Sequence, residues 1–299
     1  VKARSVPYHL LVILAIVVLS ALSLYLLETR VVSCVPQFCR AVSSAAGKPS
    51  AQGTQDISLA VANALRLAPA KVYDTPRPGL QAHASTWRTP PTIEVGGEYF
   101  KTLDAQPARA LIAHEYGHIE SKRRGKSIDP VFLLAGNLFS LLVLLIGRYW
   151  ISPNPRQVGG IAAVGMAAGT LFHVLCNGMF LASTVTMLMV GFVSCTTFEG
   201  SNRRRFCMVM ALAAVFWCIG TQTRTHFFRK EEIFSDRIAL QVAGEDATLT
   251  MLCLIEKEQK REIDAMGPMR FLAGFQQWID IHPDPEARAA AIGLAWSCP

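Results

Sequence analysis

Four stretches without a charged residue set the terms on which this chain can fold: Leu10 to Leu27, Val131 to Gly147, Gly159 to Cys195 and Phe206 to Thr223. All but the third are about as long as the roughly 17 to 25 residues that cross a bilayer. One such run would fit a buried helix of a soluble protein equally well, but four together point to an integral membrane protein. Composition agrees, with 51% hydrophobic and only 17% charged residues, against about 25% charge in a soluble domain. Leu10 to Leu27 is longer than the apolar core of a signal peptide, and Glu28-Thr29-Arg30 follows without a small-residue cleavage site. A retained first span is therefore expected.

Gly159 to Cys195 is too long for one crossing. As a straight helix it would reach about 55 Å, against a hydrocarbon core of about 30 Å. A break near Cys176-Asn177-Gly178 gives two short crossings. The expected plan is a transmembrane anchor over 1–27, an extramembrane segment over 28–130, a four-helix membrane region over 131–223 and a second extramembrane segment over 224–299. In the first extramembrane segment, Ile57 to Leu67 has helical spacing. Lys71 to Asp74, Leu80 to Thr86 and Thr92 to Val95 read as short strands between Pro and Gly turns, and Ala105 to Lys122 returns to helix. In the second, Arg224 to Ala243 and Glu245 to Asp264 read as helices, with a terminal helix from about Pro283. The fold class expected is mainly α, with about five transmembrane helices and an α+β domain assembled from the two extramembrane segments.

The helix over Ala105 to Lys122 carries His114-Glu115-Tyr116-Gly117-His118. Histidines four apart share one helix face and can hold Zn²⁺ between them. Glu115, beside the first, is placed to take a proton from an activated water. A catalytic zinc site needs a third protein ligand, and Glu232 is the best candidate. Asp236, one turn further on, could accept the other ring N–H of a ligating histidine and fix its tautomer. If Glu232 is to meet the histidines, the chain must cross the membrane an even number of times between them. Four crossings, at 131–147, 159–176, 179–195 and 206–223, satisfy this. His282 and Arg288 are the candidates for stabilising an oxyanion.

These motifs resemble those of the HtpX and CAAX-prenyl-protease superfamily of integral-membrane zinc metallopeptidases. The resemblance rests on His114 to His118, on Glu232 to Asp236 followed by Arg237 and Ala239, and on His282-Pro283 followed by Arg288. It implies that His114, His118 and Glu232 bind zinc, that Glu115 is the base, and that Asp236 orients His114. It further implies that His282 and Arg288 contact the substrate backbone or oxyanion. Leu80, Gln81, Ala82 and His83 stand where the family has an edge strand that pairs with substrate, although the family's usual Asn-Ala-Phe wording is absent. The membrane plan departs from that of HtpX-like proteins, which usually have two spans before the first motif and two between the zinc-binding helices.

Zinc is thus the cofactor expected, and protein or peptide chains and the lipid bilayer are the expected partners. A net charge of +7 reads as charge at membrane boundaries, and no nucleic-acid-binding pattern accompanies it. A homo-oligomer is compatible with the sequence but nothing indicates one. One span before the active site, with Lys2 and Arg4 inside, points to a zinc domain outside the bacterial inner membrane, facing the periplasm or exterior. Arg148, Arg156 and Arg203 to Arg205 then fall in cytoplasmic loops. The alternative is a cytoplasmic-facing domain, which Lys122 to Lys126, Arg224, Arg229 and Lys230 on the catalytic side and the resemblance to HtpX-like proteins favour. Among eight cysteines, Cys34 and Cys39 form a close pair that suits a disulfide, a small redox or metal element, or two free thiols. The competing function classes are a non-hydrolytic membrane scaffold with structural zinc and a transporter-like bundle using His173 and Asn177. No paired intramembrane acid supports the latter.

Overall fold

The computed structural model describes residues 48–75, 82–85, 90–96, 100–126, 135–176, 179–265 and 282–298. In order these form β1 (Lys48–Pro49), α1 (Gln52–Leu65), β2 (Lys71–Thr75), β3 (Ala82–Ser85), β4 (Thr92–Gly96) and α2 (Ala105–Arg123). There follow α3 (Ala135–Ile151), α4 (Pro155–Cys176), α5 (Met179–Thr196), α6 (Gly200–Ala243), α7 (Glu245–Ala265) and α8 (Pro285–Ala291). The chain divides into two units. A helical unit holds α3 to α5 and α6 as far as Arg224; a mixed unit holds β1 to α2 together with the chain from Thr225 onward.

In the mixed unit the strand order is β1-β2-β4-β3. β2 and β4 are parallel, with Val72 opposite Ile93, while β3 runs antiparallel to β4 with His83 opposite Glu94. Val72, Ile93 and Val95 are fully buried and pack with Ala110, Ile112, Ala113 and Tyr116 of α2. The alanines keep the apolar side of α2 low, so the helix lies close against its neighbours. Pro107 falls in the first turn, where its missing N–H breaks no helix bond, and Lys122 and Arg123 sit in the last turn, favourable to the helix dipole.

Tyr116 ties the layers together. Its buried hydroxyl accepts the Ala70 N–H at 2.7 Å and lies 2.9 Å from Ser58 Oγ, which itself donates to Ala70 O. A large buried ring with a satisfied polar tip anchors α2 against both α1 and the entry to β2.

In the helical unit, Leu141, Leu144 and Leu145 of α3 pack with Val158 and Ile161 of α4, Val190 of α5 and Phe206 and Ala213 of α6. α3 and α6 meet backbone to backbone, since a Cβ built on Gly136 would lie 2.3 Å from Gly220 Cα. The buried Arg148 guanidinium stacks on Phe198 at 3.8 Å and donates to Gln157 at 3.1 Å. The other side of these helices stays apolar and open: Trp150, Phe192, Met208, Leu212, Val215 and Ile219 are all exposed.

The expectation of about five transmembrane helices is corrected. Among the described residues one helix, α6, is long and apolar enough to cross a membrane. Gly136–Ile151 and Thr184–Thr196 are shorter apolar stretches, reaching only about 24 and 20 Å at 1.5 Å per residue. Freedom from charge marked apolar helices without fixing their length. The expected first span over 10–27 lies outside the described residues. A second difference concerns α6, whose 44 residues continue without a break from the apolar run 206–223 through Glu232 and Asp236.

Removing the Tyr116 hydroxyl strands the buried Ala70 N–H. Tyr116→Phe is expected to cost about 1–3 kcal/mol of stability, read as a lower midpoint of thermal unfolding; an unchanged midpoint would discount this anchor.

Candidate active site

Two helices far apart in sequence supply the core of the site. On α2, His114 and His118 lie one turn apart with their Nε2 atoms 3.2 Å from each other. On α6, Glu232 faces them, with Oε2 at 3.4 Å from His114 Nε2 and Oε1 at 3.4 Å from His118 Nε2. What lets the helices come this close is Gly117. A Cβ there would lie 2.4 Å from Ser235 Cα and 2.7 Å from Ser235 Cβ, so any side chain would force the helices apart.

The remaining polar atoms are held in a chain of contacts. His114 Nδ1 lies 2.9 Å from Asp236 Oδ1. When that nitrogen donates to the carboxylate, the Nε2 lone pair is left facing Glu232 and His118. His118 Nδ1 lies 3.4 Å from Glu231 Oε1 in the corresponding position. Arg288 of α8 grips Asp236 with two donors, Nε to Oδ2 at 2.8 Å and a terminal nitrogen to Oδ1 at 2.7 Å. Asp236 is wholly buried and Arg288 2% exposed, so each charge is tolerated only because the other is present. His282 is exposed, with Nδ1 3.2 Å from Glu232 Oε2.

These contacts set the protonation of the group. Burial pushes the His114 pKa down, but hydrogen bonding and charge from Asp236 and Glu232 outweigh it and raise it to about 10. Burial would raise the pKa of Glu232, yet His114, His282 and His118 hold it well below the usual carboxylate range. Asp236 behaves likewise, its lowering due first to the charge of Arg288. A buried centre this rich in carboxylate attracts positive charge.

The donor set fits a divalent ion of zinc's size. Four tetrahedral ligands at about 2.0–2.1 Å from a metal lie about 3.3–3.4 Å from one another, and the nearest approaches among His114, His118 and Glu232 are 3.2 to 3.4 Å. Glu232 Oε2 is buried and has no hydrogen bond, although three nitrogens surround it at 3.2 to 3.4 Å. His114, Glu115 and His118 also form a cluster whose ligand atoms all lie within 4.8 Å of one another. Glu115 belongs to the same helix turn but has no ion pair or hydrogen bond to a histidine among the described residues, unlike Glu232.

A cavity of about 360 Å³ opens onto this group. Its lining includes Glu115, His282 and Arg288, with Ala82 and His83 of β3, Glu94 of β4, and Glu258 of α7. β3 is the end strand of the sheet. Of the four residues expected at the substrate edge, Ala82 and His83 thus line the cavity, while Leu80 and Gln81 lie outside the described residues.

Three features went unread in the sequence. Glu231 as a partner for His118 was hidden by its place in an ordinary Lys-Glu-Glu run. Nothing in the sequence marks Gly117 as a point of close helix contact. Cys253 and Cys298 form a disulfide with Cα atoms 5.5 Å apart, tying the chain after α8 to α7; nothing in their spacing announces it. Cys34 and Cys39 lie outside the described residues.

Paired helices presenting two histidines and glutamates beside a cavity give the chain, in general terms, the equipment of a zinc-dependent peptidase. The chain belongs to peptidase family M48, whose model matches residues 52–294. No curated protein and no solved structure matches it.

Gly117→Ala tests the helix contact. Alanine favours a helix by about 1 kcal/mol over glycine, but overpacking against Ser235 costs about 1–3 kcal/mol. The variant is expected to melt lower and to lose zinc during dialysis against a weak chelator. Zinc retention equal to that of the parent protein would show that the contact does not set the site.

Proposed function

We propose that the protein is a membrane-bound zinc endopeptidase that hydrolyses peptide bonds in membrane-associated or unfolded protein chains. The observation carrying this reading is the triangle of His114, His118 and Glu232 donor atoms at zinc-like separations, with Glu115 beside it in the same cavity. His114, His118 and Glu232 are the metal ligands in this reading. Bound there, zinc supplies Lewis-acid activation of a water and of the scissile carbonyl.

The protein's own groups do the rest. Glu115 takes the proton of the attacking water and delivers it to the leaving nitrogen. Asp236 holds the His114 ring so that Nε2 stays an acceptor, and Glu231 does the same for His118. Arg288, with two of its donors on Asp236, is a positioning residue that keeps this carboxylate charged and aligned. His282, exposed at the cavity, is the better placed of the two to donate to the developing oxyanion. An extended substrate segment lies along β3, the end strand, as an added strand.

Membrane attachment is supported by the length and apolarity of α6 and by the open apolar side chains of the helical unit. Exposed large apolar side chains in this number are what a surface that meets lipid or a partner would present. The Cys253–Cys298 disulfide in the mixed unit supports placing that unit in an oxidising compartment, outside the bacterial inner membrane.

Purified, zinc-loaded protein is expected to cleave casein or a quenched peptide, while Glu115→Gln keeps its zinc and loses about 10²- to 10⁴-fold in rate. Equal cleavage by both forms would sink the mechanism. If neither cleaves and Glu115→Gln retains full activity in cells, the site is that of a scaffold. For the orientation, Cys253 and Cys298 are expected to resist alkylation in protein taken from cells under denaturing, non-reducing conditions and to react after reduction. Immediate alkylation would place the mixed unit on the reducing side.

A further inference from the structure

The substrate cavity has a charge pattern that the hydrolytic chemistry does not require. Four carboxylates line it: Glu94, Glu115, Glu232 and Glu258. Near the bottom, Glu115 and Glu232 would oppose the two positive charges of a bound divalent ion, Asp236 is paired with Arg288, and Glu231 faces His118. Glu94 and Glu258 stand outside that balance, on two different walls.

Glu94 comes from β4, directly opposite His83 of the end strand β3. Both residues line the cavity, so Glu94 stands one strand in from where an extended substrate would lie. Among the described residues no cation forms an ion pair with it. Glu258 comes from a different element, α7. Its side chain is 11% exposed, and it meets Arg261, whose side chain is 62% exposed and which does not line the cavity. A solvent-exposed partner of this kind is worth little and exchanges readily for a cation brought in by a ligand. The one guanidinium in the lining, Arg288, is bound to Asp236 by two donors. The walls therefore offer two carboxylates to an incoming chain and no uncommitted arginine or lysine among the described residues.

We infer that Glu94 and Glu258 are specificity-determining residues, selecting peptide segments with lysine or arginine close to the scissile bond and rejecting acidic ones. This rests on the peptidase reading of the same cavity and names its substrate class. A half-buried wall carboxylate meeting a long cationic side chain gains attraction that open water would screen away. An acidic side chain there meets like charge and a desolvation cost without compensation.

The test uses the full-length, zinc-loaded protein and matched quenched peptides that differ in one residue, Lys, Gln or Glu, placed in turn at each position flanking the cleaved bond. At one or more positions kcat/KM is expected to rise about fivefold from Gln to Lys, the effect of one modest ion pair, mainly through KM, and to fall for Glu. The Lys-to-Gln ratio is expected to shrink at high salt, and to approach one in Glu94→Gln with Glu258→Gln. Equal kcat/KM for all three peptides at every position, or an undiminished ratio in the double variant with a parental melting midpoint, would overturn the assignment. If no peptide is cleaved, the peptidase reading fails instead. Calorimetric binding of the same peptides to zinc-loaded Glu115→Gln then decides the charge preference alone: tighter binding of Lys than Glu peptides upholds it, and equal binding overturns it.

Discussion

The approach of α2 to α6 at Gly117 and Ser235 is the constraint on which the site depends. A metal site of three protein ligands requires donor atoms within about 3.4 Å of one another, and side chains as short as histidine and glutamate leave little room for adjustment. The helices must meet almost backbone to backbone. Gly117 permits this at the one turn between the two histidines where a Cβ would strike Ser235. Tyr116, its neighbour, fixes the opposite side of the same turn to Ser58 and Ala70. Two residues that look interchangeable within the motif thus hold the helix from both sides.

Around that contact lies a second layer of dependence. Asp236 touches both His114 and Arg288, and each would be costly to bury alone. The carboxylate stays charged because of the guanidinium, and the imidazole is oriented because the carboxylate is charged. Loss of Asp236 or of Arg288 would leave the other as an uncompensated charge in the interior, a defect of about 3–5 kcal/mol. The orientation of the His114 ring therefore depends on a network whose outermost member, Arg288, belongs to a short helix after α7.

The local parts of this arrangement were legible in sequence. Histidines four apart and a Glu–Asp pair four apart each lie on one helix face, and that regularity needs no tertiary information. The short strands before α2 could likewise be read from alternation and turn residues, although the two-residue β1 was lost in a turn-rich segment. What could not be read were relations between segments: the pairing of Arg288 with Asp236, the Cys253–Cys298 link and the role of Gly117. The membrane plan failed for a related reason. Leu144, Leu145 and Val190 are as apolar as lipid-facing residues yet are buried against one another, and a charge-free run is consistent with either setting. The continuity of α6 was obscured by Arg224, Arg229 and Lys230, which interrupt the hydrophobic pattern without breaking the helix.

The wiring of Arg288 bears on the order in which this buried group can assemble. Arg288 and His114 are separated by 174 positions, with α3 to α7 between them. A chain made only as far as α7 has the histidine motif and Asp236 but not the guanidinium that pairs with this carboxylate. The buried charge beside His114 is compensated only once α8 has folded onto α6, so the group closes last at the residue furthest along the chain.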